Sequence, residues 1–147
     1  MRNFYKLILL VVEFIREQLR QKGLKITPQR IAIYDAVVTL KNHPTAENVA
    51  EYIKDNHPNI SVGTVYKVLN SLAEHHLLKK VKTDKDVMRY DAIIQQHHHL
   101  YCSETERIED FEDTELDRLI SQYFENKRIN GFKISNITLQ ITGEFNN

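Results

Sequence analysis

The hydrophobic positions of this chain change rhythm near its middle. From Phe4 to Leu19, apolar residues recur three and four apart, at Phe4, Ile8, Val11, Ile15 and Leu19. That spacing puts them on one face of a helix. The stretch is predicted to be an amphipathic helix packed on a domain or a partner. Its run Leu7-Ile8-Leu9-Leu10-Val11-Val12 is too short to span a bilayer, and no small-residue cleavage site follows it. Gly23 is placed to end the helix. Thr27-Pro28 then opens a second, with Thr as N-cap and Pro at the first helical position. Ile31, Ile33, Tyr34, Val37, Val38 and Leu40 supply its apolar content. Pro44-Thr45 opens a third, with Ala46, Val49, Ala50 and Ile53 on one face, and Pro58 closes that region. Ser61 caps a fourth, Val62 to about His75. At about 100° per residue, Val62, Val65, Val68, Leu69 and Leu72 fall in one arc and are expected to be buried. Gly63, Thr64, Lys67, Asn70 and Ser71 face the other way, with Tyr66 at the edge.

Beyond this helix the pattern shortens to strands. Leu77–Lys82 and Val87–Tyr90 flank Thr83-Asp84-Lys85-Asp86 and predict a β-hairpin. Three helices followed by a basic hairpin make a winged helix, a variant of the helix-turn-helix. A helix face of small, amide and cationic residues suits entry into a DNA major groove; a plain solvated face is the blander alternative. The stretch Ile93-Ile94-Gln95-Gln96-His97-His98-His99-Leu100-Tyr101-Cys102 reads as a strand, and Arg107–Phe111 as another. Thr114 is expected to cap a helix running to about Lys127, with Leu116, Leu119, Ile120, Tyr123 and Phe124 on its apolar face. After Gly131, residues Phe132–Thr142 alternate, with Ile134, Ile137, Leu139 and Ile141 as the apolar set. The predicted fold class is α+β. Residues 1–90 form the N-terminal helix and a winged-helix DNA-binding domain; residues 91–147 form a hinge and a small α/β domain. The second part has little core of its own, and a domain that small often completes its core by dimerising.

Charge supports two parts with different partners. The formal net charge is zero, yet residues 1–90 hold 15 Lys and Arg against 9 Asp and Glu, and residues 91–147 hold 5 against 11. A polyanion binder followed by a cation binder fits that split; chance imbalance on two solvated surfaces is the alternative. The single Cys excludes an intramolecular disulfide and a four-cysteine zinc site. A reducing cytoplasm is the expected location.

The candidate chemistry sits at His97-His98-His99. Alternate side chains of a strand share a face, so His97 and His99 pair while His98 points away. Two imidazoles on one face make a chelating pair for a divalent transition metal. Asp91, Glu109 and Asp110 lie close in sequence.

With these parts assembled, the chain resembles the ferric uptake regulator family. The matching stretches are Gly23-Leu24-Lys25-Ile26-Thr27-Pro28-Gln29-Arg30, His43-Pro44-Thr45-Ala46 and Ser61 through Leu69. They continue with Arg89-Tyr90-Asp91, His97 through Cys102, Ile108-Glu109-Asp110-Phe111 and Gly131 through Asn136. The resemblance spans about residues 20–143. It implies a homodimeric, metal-dependent transcriptional repressor that binds a palindromic operator in double-stranded DNA, with no membrane partner. It implies one regulatory metal per chain held by His43, Asp91, His97, His99 and Asp110. That donor set suits Fe²⁺, Mn²⁺ or Zn²⁺. DNA contacts are expected from Thr64, Tyr66, Lys67 and Asn70, assisted by Lys25 and Arg30.

Two departures stand out. Many members hold a structural zinc with two Cys-x-x-Cys pairs; here only Cys102 is present and Thr105 replaces its neighbour, so that zinc is expected to be absent. A further site in iron-sensing members uses a histidine where this chain has Ile137. Asp at positions 91 and 110, rather than Glu, resembles the peroxide-sensing branch, in which bound Fe²⁺ reacts with H₂O₂ and a histidine ligand is oxidised. His43 and His97 are the candidates for that oxidation. Regulation by iron or zinc level alone is the nearest alternative. A metalloenzyme would need an open metal position and a general base. No such base is evident, so the chain is not expected to be an enzyme.

Overall fold

The computed structural model describes residues 2–92 and 97–146. Ile93-Ile94-Gln95-Gln96, read above as the start of a strand, lie outside the described residues. The chain divides into two compact units, Met1–Ile94 and Gln95–Asn147.

The first unit is helical up to its terminal hairpin. Helix α1 spans Arg2–Gln21, α2 Pro28–Leu40, α3 Ala46–Ile53 and α4 Val62–Glu74. The caps follow the sequence. Thr27 accepts the Arg30 amide, and Ser61 accepts that of Thr64. Thr45 and Asn48 form a reciprocal capping box. Gly23, at φ +71°, makes the left-handed turn that ends α1. The core gathers Ile15 and Leu19 of α1, Ile33 and Val37 of α2, Val49 of α3, and Val65, Leu69 and Leu72 of α4. Each such aliphatic side chain contributes roughly 1.5–3 kcal/mol on full burial. Strands β1 (Lys79–Lys82) and β2 (Met88–Asp91) form the antiparallel wing, with Lys79 opposite Asp91. Helices and a two-stranded wing give the winged-helix arrangement.

One expectation fails in this unit. Val62 is exposed rather than buried, although Val65 is fully buried: Val62 is the first residue of α4 and sits between the exposed Ser61 cap and the exposed Gly63. Helix α1 packs on this unit through Ile15 and Leu19, with Val11 against the core, while Phe4 and Ile8 are exposed.

The second unit holds β3 (His98–Tyr101), β4 (Ile108–Phe111), helix α5 (Thr114–Asn126) and β5 (Gln140–Thr142). The sheet order is β4-β3-β5, with β4 antiparallel and β5 parallel to the central β3. Asp113, not Thr114, caps α5: its carboxylate accepts the Leu116 amide. The long strand expected over Phe132–Thr142 is reduced to Gln140–Thr142. No residue of α5 is buried, and Leu119, Tyr123, Ile129, Phe132 and Ile141 are exposed. The apolar alternation is real, but these residues cover one another only in part.

Candidate functional site

In the first unit, a strap of chain places an imidazole beside a carboxylate. Just after α2, Lys41 and His43 both take positive φ values of 59° and 50°. A side chain in that region costs roughly 1–2 kcal/mol, so the surroundings must hold it. They do so through β2. Arg89 donates its Nη1 proton to the His43 carbonyl at 3.1 Å, and the Tyr90 amide donates to the Pro44 carbonyl at 2.9 Å. Thr45 also pairs with Arg89 as an isolated bridge. The result sets His43 Nε2 3.4 Å from Asp91 Oδ2, with both side chains buried.

In the second unit, the strand register does the same work. His99 lies directly opposite Asp110 across the β3–β4 pair, so their side chains share a face. His97, two residues earlier, shares that face. His97 Nε2 stands 3.1 Å and His99 Nε2 3.7 Å from Asp110 Oδ1. The two rings meet edge to face at 4.7 Å. His97, His99 and Asp110 each offer a ligand atom within 4.8 Å of the others. Imidazole nitrogen and carboxylate oxygen form a donor set for Fe²⁺, Mn²⁺ or Zn²⁺.

His98 points the other way, as the strand alternation requires. Its Nδ1 accepts the Leu139 amide at 3.0 Å. That nitrogen therefore carries no proton, and Nε2 donates to Asp117 Oδ1 at 2.6 Å. His98 is thereby a structural pin between β3, α5 and the approach to β5. With Asp117 and Ile137 it lines a cavity of about 590 Å³.

Cys102 is buried at the end of β3. A hydrogen bond from Thr105 holds its thiol below the usual value, against the opposing effect of burial. Close by, the Arg107 guanidinium lies 4.1 Å from the centre of the Phe145 ring and pairs with Glu109.

The residues expected to meet DNA fall on two parts of the first unit. Lys67 and Tyr66 are exposed on α4, and Thr64 is half-buried beside its cap Ser61. Asn70 turns toward the wing, where its Oδ1 accepts the Tyr90 hydroxyl at 3.4 Å. Arg30 donates to the Lys25 carbonyl at 2.6 Å, which fixes the entry to α2. Glu47, Arg89 and Asp117 were missed in the sequence. Tyr66 donates its hydroxyl proton to Glu47, which holds the Glu47 carboxyl below its usual value and pushes the Tyr66 phenol up. These partners are remote in sequence from the residues they fix, and only Arg89 lies in a stretch that the family resemblance marks.

Residues 21–142 match the ferric uptake regulator family. The chain is 35% identical over 127 residues to the peroxide operon regulator of Bacillus subtilis, covering 86% of each chain. It is 33% identical over 101 residues to the peroxide-responsive repressor PerR of Staphylococcus aureus, covering 69% of this chain and 68% of that one. In fold it is similar to the ferric uptake regulator from Pseudomonas aeruginosa solved with manganese. The TM-score is 0.75 at 22% identity, over 90% of this chain and 98% of that one. Family match and relatives agree with the residue pattern, and both point to a regulator rather than an enzyme: this chain belongs to the ferric uptake regulator family.

Proposed function

We propose that this protein is a metal-dependent transcriptional repressor that senses peroxide. The observation that carries the reading is the pair of acid–imidazole groups. His43 with Asp91 belongs to the first unit, and His97, His99 and Asp110 belong to the second. One divalent ion bound by all five residues would tie a DNA-binding unit to a dimerising unit. Metal occupancy would then bias the protein toward its DNA-binding arrangement. The names of the relatives in Bacillus subtilis and Staphylococcus aureus support peroxide as the signal.

The chain's own residues divide the work. Asp91 and Asp110 supply negative charge that holds and orients the imidazoles and offsets the charge of the ion. A bound Fe²⁺ would activate hydrogen peroxide for cleavage of its O–O bond; His43 or His97 would take up one of the two oxygen atoms and the other would leave as water. Tyr66, Lys67 and Thr64 would meet a palindromic operator in double-stranded DNA, with Asn70 at the wing side and Lys25 and Arg30 on phosphates. The apolar surface left open on α5 and on Phe132 and Ile141 would be covered by a second copy. Such a regulator works in the cytoplasm; among the described residues no helix is long and apolar enough to cross a membrane.

The test is operator binding by His97→Ala and Asp110→Ala with saturating Mn²⁺. Both variants should stay folded and lose metal-dependent binding. Wild-type affinity in either variant would show that these residues do not control the switch.

A further inference from the structure

Helix α1 carries more apolar surface than its own unit covers. Ile15 and Leu19 are buried, and Val11 and Val12 are half-buried. Phe4, Leu7, Leu10 and Phe14 are 65%, 60%, 59% and 52% exposed. Laid out at about 100° per residue, the apolar residues form two stripes. Ile8, Val12, Ile15 and Leu19 advance by four, three and four; of these Ile15 and Leu19 lie in the core, and the half-buried Val11 at the edge of this stripe packs against it. Phe4, Leu7, Val11 and Phe14 advance by three, four and three, the spacing of a coiled-coil seam. The second stripe lies about 90° round the helix from the first. A helix apolar over so wide an arc is suited to burial on two sides.

The second stripe is self-complementary. In an antiparallel pair with a two-fold axis near Leu9, Phe4 faces Phe14 of the second copy and Leu7 faces Val11. Leu10, on the flank, comes against its own counterpart. A two-fold contact needs this reciprocity, in which one residue touches another and is touched by its counterpart in turn. Asn3 and Glu17 share that flank and oppose one another without a clash of like charges. At roughly 100 Å² of exposed side chain per large residue, two copies would bury about 1,000 Å², the lower end for a specific interface. The polar face of α1 mixes Arg2, Lys6, Arg16 and Arg20 with Glu13 and Glu17. Helices that lie on anionic membranes favour a strongly basic polar face, so charge favours a protein partner.

We propose that α1 is a self-association helix whose Phe4–Leu7–Val11–Phe14 stripe pairs antiparallel with that of a second copy of this chain. The contact uses only the first unit. It is additional to any dimer made through α5 and its neighbours, and lets dimers join into larger assemblies.

The experiment uses the full chain. The double variant Leu7→Glu/Leu10→Glu alters exposed positions, so its melting temperature should match the wild type. In sedimentation equilibrium over a concentration series, the largest wild-type species should be twice the mass of the largest variant species. Equal masses at every concentration would overturn the proposal. Orientation is read from Phe4→Cys and Phe14→Cys chains treated with a short bismaleimide, with wild type as the control for Cys102. Cross-linking only when the two variants are mixed supports the antiparallel pair. Cross-linking of either variant with itself points to parallel pairing and overturns it. Binding of the wild type to phosphatidylserine vesicles without self-association also overturns it, and assigns the stripe to a lipid surface.

Discussion

The Nε2 of His98 lies 2.6 Å from the Oδ1 of Asp117, joining the central strand β3 to helix α5. With the Leu139 amide on its other nitrogen, His98 ties three segments of a unit that has little apolar core. His98→Ala leaves Asp117 and the Leu139 amide without that partner, and should cost about 2–3 kcal/mol. His98→Ala should lower the unfolding midpoint of the second unit while metal binding at low temperature is retained. Loss of metal with unchanged stability would assign His98 to the metal instead.

Metal analysis of the purified protein should give one tightly held divalent ion per chain and no second ion with thiolate coordination. The reason is chemical: one cysteine cannot supply the four thiolates of a structural zinc site. X-ray absorption should report nitrogen and oxygen ligands. Sulfur in the first coordination sphere would contradict the assignment.

Lys67 is the exposed cation in the middle of α4. Lys67→Ala should weaken operator binding by roughly 1–3 kcal/mol if it reads a base, and flatten the salt dependence by about one unit of slope if it pairs with phosphate. Titrations at several salt concentrations distinguish the two contacts. Unchanged affinity and slope would mean that α4 does not enter the groove.

The Tyr66–Glu47 bond predicts a pH effect of known sign. Glu47 is held below its usual value of 4.5 by the Tyr66 hydroxyl. Its contribution to stability is therefore present above that value and fades as pH falls through the lowered one. Tyr66 is raised above 10.0, chiefly by the same bond; its contribution is present below that value and fades as pH rises through the raised one. Tyr66→Phe should bring the Glu47 carboxyl back up toward its usual value in an NMR titration. Both groups are exposed, so the change in overall stability should be small. No movement of the Glu47 titration would mean the bond does not persist in solution.

Where local rules decide the structure, the sequence shows it. Thr27, Thr45 and Ser61 cap their helices because each hydroxyl reaches an amide three residues on. His97 and His99 share a face because strand side chains alternate. Distant partners decide the rest. Val62 fits the buried arc of α4 by angle but is the exposed first residue of the helix, next to its cap Ser61. Asp113 outcompetes Thr114 as a cap by one position. The alternation of Phe132–Thr142 signals a strand, yet a ladder requires a neighbour, and among the described residues of that stretch only Gln140–Thr142 form a strand, paired with β3. Neither the strained backbone of His43 nor its tether to Arg89 leaves a mark in the sequence.

The central claim is peroxide sensing by an iron-bound histidine site, and mass spectrometry tests it most directly. Fe²⁺-loaded and Mn²⁺-loaded protein, each bound to its operator, are treated with H₂O₂ and digested. The account predicts one added oxygen on His43 or His97 in the iron form, with loss of DNA, and neither change in the manganese form. Unmodified histidines, with DNA release that follows only free iron or zinc concentration, would contradict it and make the protein a regulator of metal level.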